Sequence, residues 1–363
     1  MLRSPALGCF ASLAVACASP ESSQTDLSAT TGTSGGSSES GAPTTSEANA
    51  STGDLGANPR LNHLQALGTH NSYHVSPGSL VTQWDYTHRP LDEQLESQGV
   101  RKFELDLFFR GAGEPIDVYH IETLDTGSTC PTFVECLQTI KGWSDAHPGH
   151  HPLYVMIELK TAFVAQDAGG LLQTLEDQLA SVWPRERLIV PDDVQGEAAN
   201  LREGLAASGW PELDAVRGRA LFVLHDDGKW RETYTEGGTS TAGRLLFPDA
   251  FGAIDLPFAA VHSINDPIGD VAQIHAAVDA GHLVRTRSDA DNVEPAAGDT
   301  TRATAALASG AHFISTDYPP PKGEKYDFVV EIPGGTPSRC NPRSAPPGCT
   351  PAAIEDPAAL AGP

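Results

Sequence analysis

The sequence is poor in positive charge. It has 23 Lys and Arg residues against 47 Asp and Glu residues, so the formal net charge is −24 at pH 7. Such a chain repels nucleic-acid phosphates and has no general attraction to an anionic membrane surface. The composition therefore predicts no nucleic-acid partner and no loose electrostatic docking on lipid.

Nucleotide-binding and zinc-binding motifs are also missing. Neither G-x-G-x-x-G nor G-x-x-x-x-G-K-[ST] follows any apolar run, which leaves a nucleotide-binding sheet without support. Cys130, Cys136, Cys340 and Cys349 lack C-x-x-C spacing. Their two close pairs predict the disulfides Cys130–Cys136 and Cys340–Cys349, although spacing alone leaves the connectivity open. A metal site is the disfavoured alternative, because the pairs lie far apart in the chain.

The first 58 residues contain too little apolar sequence to form a packed core. Arg3 precedes a short apolar stretch, residues 6–17, which ends in small residues before Cys17. This pattern is typical of an export signal and is too short for a spanning helix. The ending LAVAC is similar to a bacterial lipobox, so we predict that Cys17 is lipidated; ordinary cleavage that discards Cys17 is the alternative.

Residues 18–58 contain no aromatic residue, no Lys and no Arg, and are rich in Ser, Thr and Gly. Such a segment buries too little apolar surface to offset the entropy of ordering it, so we predict a disordered tether. With the signal at 1–17, it predicts an exported protein, either a cell-envelope lipoprotein with a lipid anchor or a secreted one. Export also permits disulfides.

From about residue 61 onward, short apolar runs alternate with one-sided helical patterns. Strands are predicted at 64–68, 102–109, 117–120, 153–159, 220–224, 259–263, 282–286 and 312–316. Helices are predicted at 91–98, 133–146, 168–183, 269–280 and 299–310. This alternation predicts an irregular α/β (β/α)8 TIM barrel over residues 59–335, with a C-terminal tail at 336–363. The alternative is an open, doubly wound sheet. Residues 184–219 form a long insertion, and HPGHHP (147–152) is predicted to be a solvated turn.

Carboxylates lie on two predicted strands near their carboxyl ends, where barrel enzymes build their active sites. Glu104 and Asp106 are two residues apart, so both side chains point to the same side of the sheet, and Glu158 lies on the fourth strand. Buried carboxylates must be paired, protonated or metal-bound. Calcium prefers such oxygen ligands, and the side-chain oxygen of Asn71 completes the candidate set. Three basic residues could instead neutralise these carboxylates: Arg101, Lys102 and Arg110.

Two histidines flank this set, His70 after the first predicted strand and His120 after the third. Histidine carries protons near neutral pH, so one ring can deprotonate an attacking hydroxyl while the other protonates a leaving group. A cation between them suits a phosphodiester. Lys160 could hold the phosphate, or could simply pair with Glu158. The remaining histidines at strand ends, His74, His225 and His262, are assigned structural or supporting roles.

The motifs THNSYH, FELDLFF, DVYH and VMIELK, in this order and each at a predicted strand end, resemble those of the phosphatidylinositol-specific phospholipase C superfamily. GWPELDAVRGRALFVL, VRTRSDADN and ASGAHFISTDYP are similar to its bacterial calcium-dependent phosphoinositide phospholipase C-like branch. The resemblance covers about residues 61–350 and implies a (β/α)8 barrel. It implies His70 and His120 as the catalytic pair, with His70 taken as the base, and the calcium ligands Asn71, Glu104, Asp106 and Glu158.

The resemblance also implies a reaction, in which the inositol 2-hydroxyl attacks phosphorus, expels diacylglycerol and forms a cyclic inositol phosphate. Arg285 and Arg287 are predicted to contact the head group or phosphate, with structural ion pairs as the alternative. The enzyme alternative is a glycerophosphodiester phosphodiesterase or a phospholipase D-like enzyme. A second alternative is a non-catalytic, surface-tethered binding module. We expect a monomer.

Overall fold

The computed structural model describes residues 58–78, 81–323, 325–334 and 337–362. The predicted signal peptide, the predicted lipidation site Cys17 and the predicted tether up to residue 57 lie outside the described residues. Within the described ranges, none of the helices combines the length and the apolar character needed to span a bilayer.

The described residues contain eleven strands. They are β1 (Leu64–Thr69), β2 (Val100–Phe109), β3 (Ile116–Val118), β4 (Leu153–Leu159), β5 (Leu188–Ile189), β6 (Ala220–His225), β7 (Leu246–Pro248), β8 (Val261–Ser263), β9 (Leu283–Arg287), β10 (Phe313–Thr316) and β11 (Ser338–Cys340).

Eight of these strands run parallel and form the wall of a barrel, in the order β1-β2-β4-β6-β7-β8-β9-β10, with β10 pairing back onto β1. The seam between β7 and β8 is held by one parallel bridge, Asp249 to Val261, and by a 2.9 Å hydrogen bond from the Ala250 amide to the Val261 carbonyl. The prediction of an irregular (β/α)8 barrel is confirmed.

The described residues contain eleven α-helices, several of which cover the outside of this wall. They are α1 (Leu91–Ser97), α2 (Phe133–Ala146), α3 (Ala165–Val182), α4 (Pro191–Gln195), α5 (Leu201–Ser208), α6 (Leu213–Val216), α7 (Lys229–Tyr234), α8 (Val271–Asp279), α9 (Val293–Ala297), α10 (Thr301–Ala308) and α11 (Pro351–Ile354). α2 shows why such a helix begins where it does. The Thr132 hydroxyl accepts from the Glu135 amide, and the Glu135 carboxylate accepts from the Thr132 amide, so two free amides of the first turn are satisfied.

Strand alternation divides the core into two parts. On β2, Phe103, Leu105 and Leu107 face outward and pack against the helices. Inside the barrel, Tyr154, Met156, Leu221, Val223 and Phe247 belong to a second apolar cluster. β4 passes from Tyr154 and Met156 to Glu158, so the interior changes from apolar to polar toward the carboxyl ends of the strands.

The structure corrects three sequence predictions. The run at 117–120 is not a wall strand, because β3 pairs antiparallel with β2 as a short hairpin. Two strands, β5 and β7, were not predicted, and they share one edge of β6: β5 pairs with its start and β7 with its middle. HPGHHP is not a solvated turn, since His150 and His151 are fully buried and bond to the hydroxyls of Ser144 and Ser338.

The C-terminal segment closes the amino-terminal end of the barrel. β11 pairs antiparallel with β1, and Glu355 forms a buried bidentate ion pair with Arg101. The structure joins Cys340 to Cys349, and Cys130 to Cys136, as disulfides. The tail is therefore packed against the first two strands of the wall.

Candidate active site

Asp106 and Glu158 lie side by side on neighbouring wall strands, in register with each other. Asp106 is fully buried, and neither of its carboxylate oxygens accepts a hydrogen bond of good geometry. The Lys160 ammonium lies 2.6 Å from Glu158 Oε1 and 3.3 Å from Asp106 Oδ2. Burial and the Glu158 charge raise the pKa of Asp106 well above its ordinary value. Lys160 and the buried Tyr73 hydroxyl lower this pKa but do not overcome these raising causes, so the pair remains short of positive charge.

Glu104 lies two residues before Asp106 on the same face of β2, and it already has cationic partners. Its Oε2 lies 2.7 Å from Lys102 Nζ and 2.6 Å from Arg285 Nη2, while Oε1 is 3.9 Å from His70 Nε2. Burial alone would raise the pKa of Glu104, but Arg285 and Lys102 hold it well below its usual range. Burial lowers the pKa of Lys102 to about 7. Of the three basic residues considered from the sequence, Lys102 is the one that pairs here; Arg101 and Arg110 pair with Glu355 and Asp117.

Asn71 stands at the turn after β1 in a left-handed conformation, with φ of 41°, which asparagine tolerates better than most residues. Its neighbour Ser72 ties this turn to β2: the Ser72 amide donates to the Glu104 carbonyl at 2.9 Å, and the Glu104 amide donates to Ser72 Oγ at 2.8 Å. The Asn71 side chain is buried.

The four predicted calcium ligands carry the oxygen donors that calcium prefers. The structure does not gather them into one tight cluster: among the described residues, the group of acidic and histidine side chains whose ligand atoms all lie within 4.8 Å of one another is His74, His120 and Asp125. Glu104 keeps Oε1 clear of the two cations that hold Oε2. A divalent ion would offset the negative charge that helps to raise the pKa of Asp106.

His70 extends from the end of β1 and has a carboxylate partner of its own. Its Nδ1 lies 3.0 Å from Asp317 Oδ1 and 3.4 Å from Tyr86 Oη, and His88 Nε2 donates to its main-chain carbonyl at 2.9 Å. Burial, followed by the Arg287 charge, lowers the pKa of His70 well below its ordinary value. The ring is thus held neutral, with Nε2 on the Glu104 side.

His120 lies just after the β3 hairpin rather than at the end of a wall strand. Its Nδ1 is 2.8 Å from Asp125 Oδ2, and the Trp84 ring packs edge-on at 5.0 Å. Burial lowers the pKa of His120, and Asp125 opposes this shift. Contacts connect it to His70, because the Tyr86 ring packs 4.5 Å from His74, which in turn lies 6.0 Å from His120.

The predicted site residues belong to two separate contact networks. One contact network links His70 with Glu104 and Arg285, and a second links Asp106, Glu158 and Lys160. Arg285 is 1% exposed, and its guanidinium donates hydrogen bonds to Glu104, Ser315 Oγ and Asn265.

Arg287 is the more accessible of the two arginines, and its Nη2 lies 3.5 Å from Asp317 Oδ2.

Two carboxylates of the site were not assigned from the sequence. Asp317, in STDYP, follows the last wall strand, and that position was its available signal. Asp125 lies in an irregular loop and carried none.

Histidines and carboxylates at the carboxyl end of a (β/α)8 barrel stand where barrel enzymes build their active sites. The family model described as "Phosphoinositide phospholipase C, Ca2+-dependent" matches residues 59–115 and 110–342. The chain belongs to this family: it is a phosphodiesterase of the phosphoinositide phospholipase C type, and its cofactor is calcium.

Solved structures agree with this fold. The calcium-dependent phosphoinositol-specific phospholipase C of a Gram-negative Pseudomonas species is 19% identical, with 78% of this chain and 96% of that chain covered and a TM-score of 0.58. The calcium-dependent phosphatidylinositol-specific enzyme of Streptomyces antibioticus is 20% identical, with coverage of 71% and 94% and a TM-score of 0.52. No curated protein matches the chain.

Proposed function

We propose that this enzyme cleaves phosphatidylinositol-type phospholipids to diacylglycerol and a cyclic inositol phosphate, with His70 and His120 as its acid–base pair. The observation that carries the proposal is the pairing of each histidine with its own buried carboxylate, Asp317 for His70 and Asp125 for His120. A carboxylate on Nδ1 fixes the orientation and tautomer of the ring and leaves Nε2 for proton transfer.

The two rings have different tasks in this scheme. His70 presents an unprotonated Nε2, because Nδ1 donates to Asp317, and it takes the proton of the inositol 2-hydroxyl. The hydroxyl oxygen forms a bond to phosphorus as the bond from phosphorus to the diacylglycerol oxygen breaks. His120, in its protonated form, gives its Nε2 proton to that leaving oxygen. Atoms and protons balance, and water is not consumed in this step.

Asn71, Glu104, Asp106 and Glu158 are the proposed calcium ligands. When bound there, the ion would offset the negative charge of the phosphate and make the 2-hydroxyl more acidic. Lys160, which contacts two of these carboxylates, and Arg287, beside Asp317, are the proposed phosphate contacts.

Exposed apolar side chains are the proposed points of contact with lipid. Four large apolar side chains of the described residues are exposed, by between 41% and 66%: Leu124, Val164, Ile268 and Val293. We call them the apolar rim; each lies in a segment that follows β3, β4, β8 or β9 in the sequence. Apolar contact, rather than charge, is the attraction open to a chain of net charge −24. The Pseudomonas enzyme is also described in a myo-inositol complex.

The proposed setting is outside the cytoplasm, with the barrel monomeric and tethered to a membrane by lipidated Cys17 through residues 18–58. The N-terminal sequence pattern supports this. The two disulfides also suit an oxidising compartment.

The test is release of water-soluble phosphate from phosphatidylinositol vesicles by the full chain, with calcium or with chelator. His70→Ala should lower the rate by roughly 10²–10⁴-fold. His275→Ala, on the outer helix α8, is the matched control and should leave it unchanged. The product separates the alternatives: a cyclic inositol phosphate supports the proposal, whereas a free alcohol and glycerol phosphate identify a glycerophosphodiester phosphodiesterase. Calcium-induced stabilisation without any release indicates a binding module.

A further inference from the structure

His74 is a buried histidine with no part in the proton transfers just described. Its side chain is fully buried beneath the Tyr86 ring. Its Nδ1 lies 3.0 Å from the Tyr86 carbonyl oxygen, and its Nε2 lies 2.8 and 3.0 Å from the two oxygens of Asp125. Both ring nitrogens therefore face acceptors.

Counting hydrogens shows why this arrangement is unusual. A carbonyl oxygen only accepts, so the hydrogen of the first bond is on His74 Nδ1. The bond between His74 Nε2 and Asp125 needs a second hydrogen, carried by the ring or by the carboxyl group. His74 and Asp125 thus share one proton more than a neutral imidazole and a carboxylate would hold. Together they have no net charge.

The same Asp125 oxygen also binds His120. Oδ2 is 2.8 Å from His74 Nε2 and 2.8 Å from His120 Nδ1. The loop that carries both residues is closed by main-chain bonds of 3.0 and 2.9 Å between Ile121 and Asp125. The carboxylate is therefore fixed from two sides, by its own loop and by a histidine from the segment after β1.

We propose that His74 is a positioning residue for His120, acting through Asp125: it fixes the carboxylate that orients the His120 ring and offsets its charge. This inference rests on the proposed function, in which His120 protonates the leaving group. With His74 in place the Asp125 carboxylate cannot turn away, so the His120 ring keeps the orientation in which Nδ1 is bound and Nε2 is left for proton transfer.

Three charged or titratable groups face His120, and each comes from a different element. Asp125 lies on its own loop, His74 follows β1, and Lys160 follows β4. Asp125 raises the pKa of His120, whereas Lys160 and His74 lower it. Burial is the main cause that lowers this pKa; removal of His74 takes away one of the smaller lowering causes, so the pKa of His120 should rise.

The test compares the full chain with His74→Gln and Asp125→Asn, and uses His312→Gln as the control. His312 is equally buried but lies at the other end of the barrel, where it bonds to Val284 and Asn62. Nitrogen NMR gives the pKa of His120 without any assay of activity. We expect His74→Gln to raise this pKa, and Asp125→Asn to lower it.

In kinetics, His74→Gln should lower kcat by roughly tenfold with little change in KM, because it weakens one acid–base group out of two. The control should affect stability alone. A folded His74→Gln variant with an unchanged His120 pKa and unchanged kcat overturns the inference and leaves the proposed function intact. If that variant does not fold, the wild-type NMR decides: His74 with hydrogen on only one ring nitrogen, beside an ionised Asp125, overturns it. Absence of inositol-lipid cleavage with the expected pKa changes would reject only the proposed function.

Discussion

Replacement of Lys160 by Met should make the enzyme bind calcium more tightly. The Lys160 ammonium bridges Glu158 Oε1 and Asp106 Oδ2, at 2.6 and 3.3 Å, and so occupies two of the proposed ligand groups. A calcium ion must compete with this ammonium for the same oxygens, and it is repelled by the ammonium charge if both remain.

The size of the effect follows from the burial of the three groups. Lys160 and Glu158 are 25% and 32% exposed, whereas Asp106 is buried. A partly exposed ion pair is worth about 0.5–1 kcal/mol net, and the buried partner increases this to about 1–2 kcal/mol in total. Because about 1.4 kcal/mol corresponds to a tenfold change in Kd, calcium affinity should rise roughly tenfold. The metal-free variant should also unfold at a lower temperature, since Asp106 and Glu158 then repel each other without compensation.

Calorimetric titration of the calcium-depleted full chain measures the change directly. Lys229→Met, at an exposed lysine on α7 that pairs with Glu232, changes the net charge by the same amount and controls for general electrostatics. Lys160→Arg keeps the competing cation and should stay within about threefold of the wild-type Kd. If Lys160→Met binds calcium no more tightly than Lys229→Met, the ammonium does not compete for the ligand oxygens and the reasoning is wrong.

Three other changes are expected to have defined outcomes. Burial raises the pKa of Glu355, but Arg101 and the neighbouring histidines overcome it and hold this pKa at about 2, against 4.5 when unfolded. The contribution of Glu355 to stability should therefore be constant above pH 5 and fall by about 3 kcal/mol as pH drops through 2; acid denaturation curves of Glu355→Gln should lack this part of the fall. Replacing Cys340 and Cys349 together by Ala should cost about 2–3 kcal/mol in urea unfolding, and an equal midpoint in both proteins would contradict this. Leu124→Asp, on the apolar rim, should slow cleavage of vesicle lipid several-fold but not cleavage of a soluble substrate; equal slowing of both would assign Leu124 to the site itself.

The acidic cluster could be predicted because strand alternation is visible in the sequence. Glu104 and Asp106 share a parity that the apolar Phe103, Leu105 and Leu107 do not, so the structure places the two groups on opposite faces of β2 as expected. The same rule places Glu158 inside the barrel, in register with Asp106. Where side-chain direction depends on local periodicity, the sequence was sufficient.

The partners of the histidines could not be predicted in this way. Asp317 meets His70 only because β10 closes against β1, and Asp125 reaches His120 through a loop without periodicity. The residues next to each histidine in the sequence do not show which carboxylate it will contact, or at what distance. β5 and β7 were missed because strands of two and three residues are too short to show alternation. β3 was misassigned because an apolar run does not distinguish a wall strand from a hairpin.

The wall is closed by the two ends of the described chain. β1 pairs on one side with β2, but its other neighbours, β10 and β11, are separated from it by nearly the whole length of the domain. Such a topology has a high contact order, so we expect folding to be slow and to finish only after the last residues have been synthesised. Until then β1 is an open edge strand, able to pair with other chains. A chain truncated before β10 should therefore be prone to aggregate even though its proposed calcium ligands and histidine pair are all present.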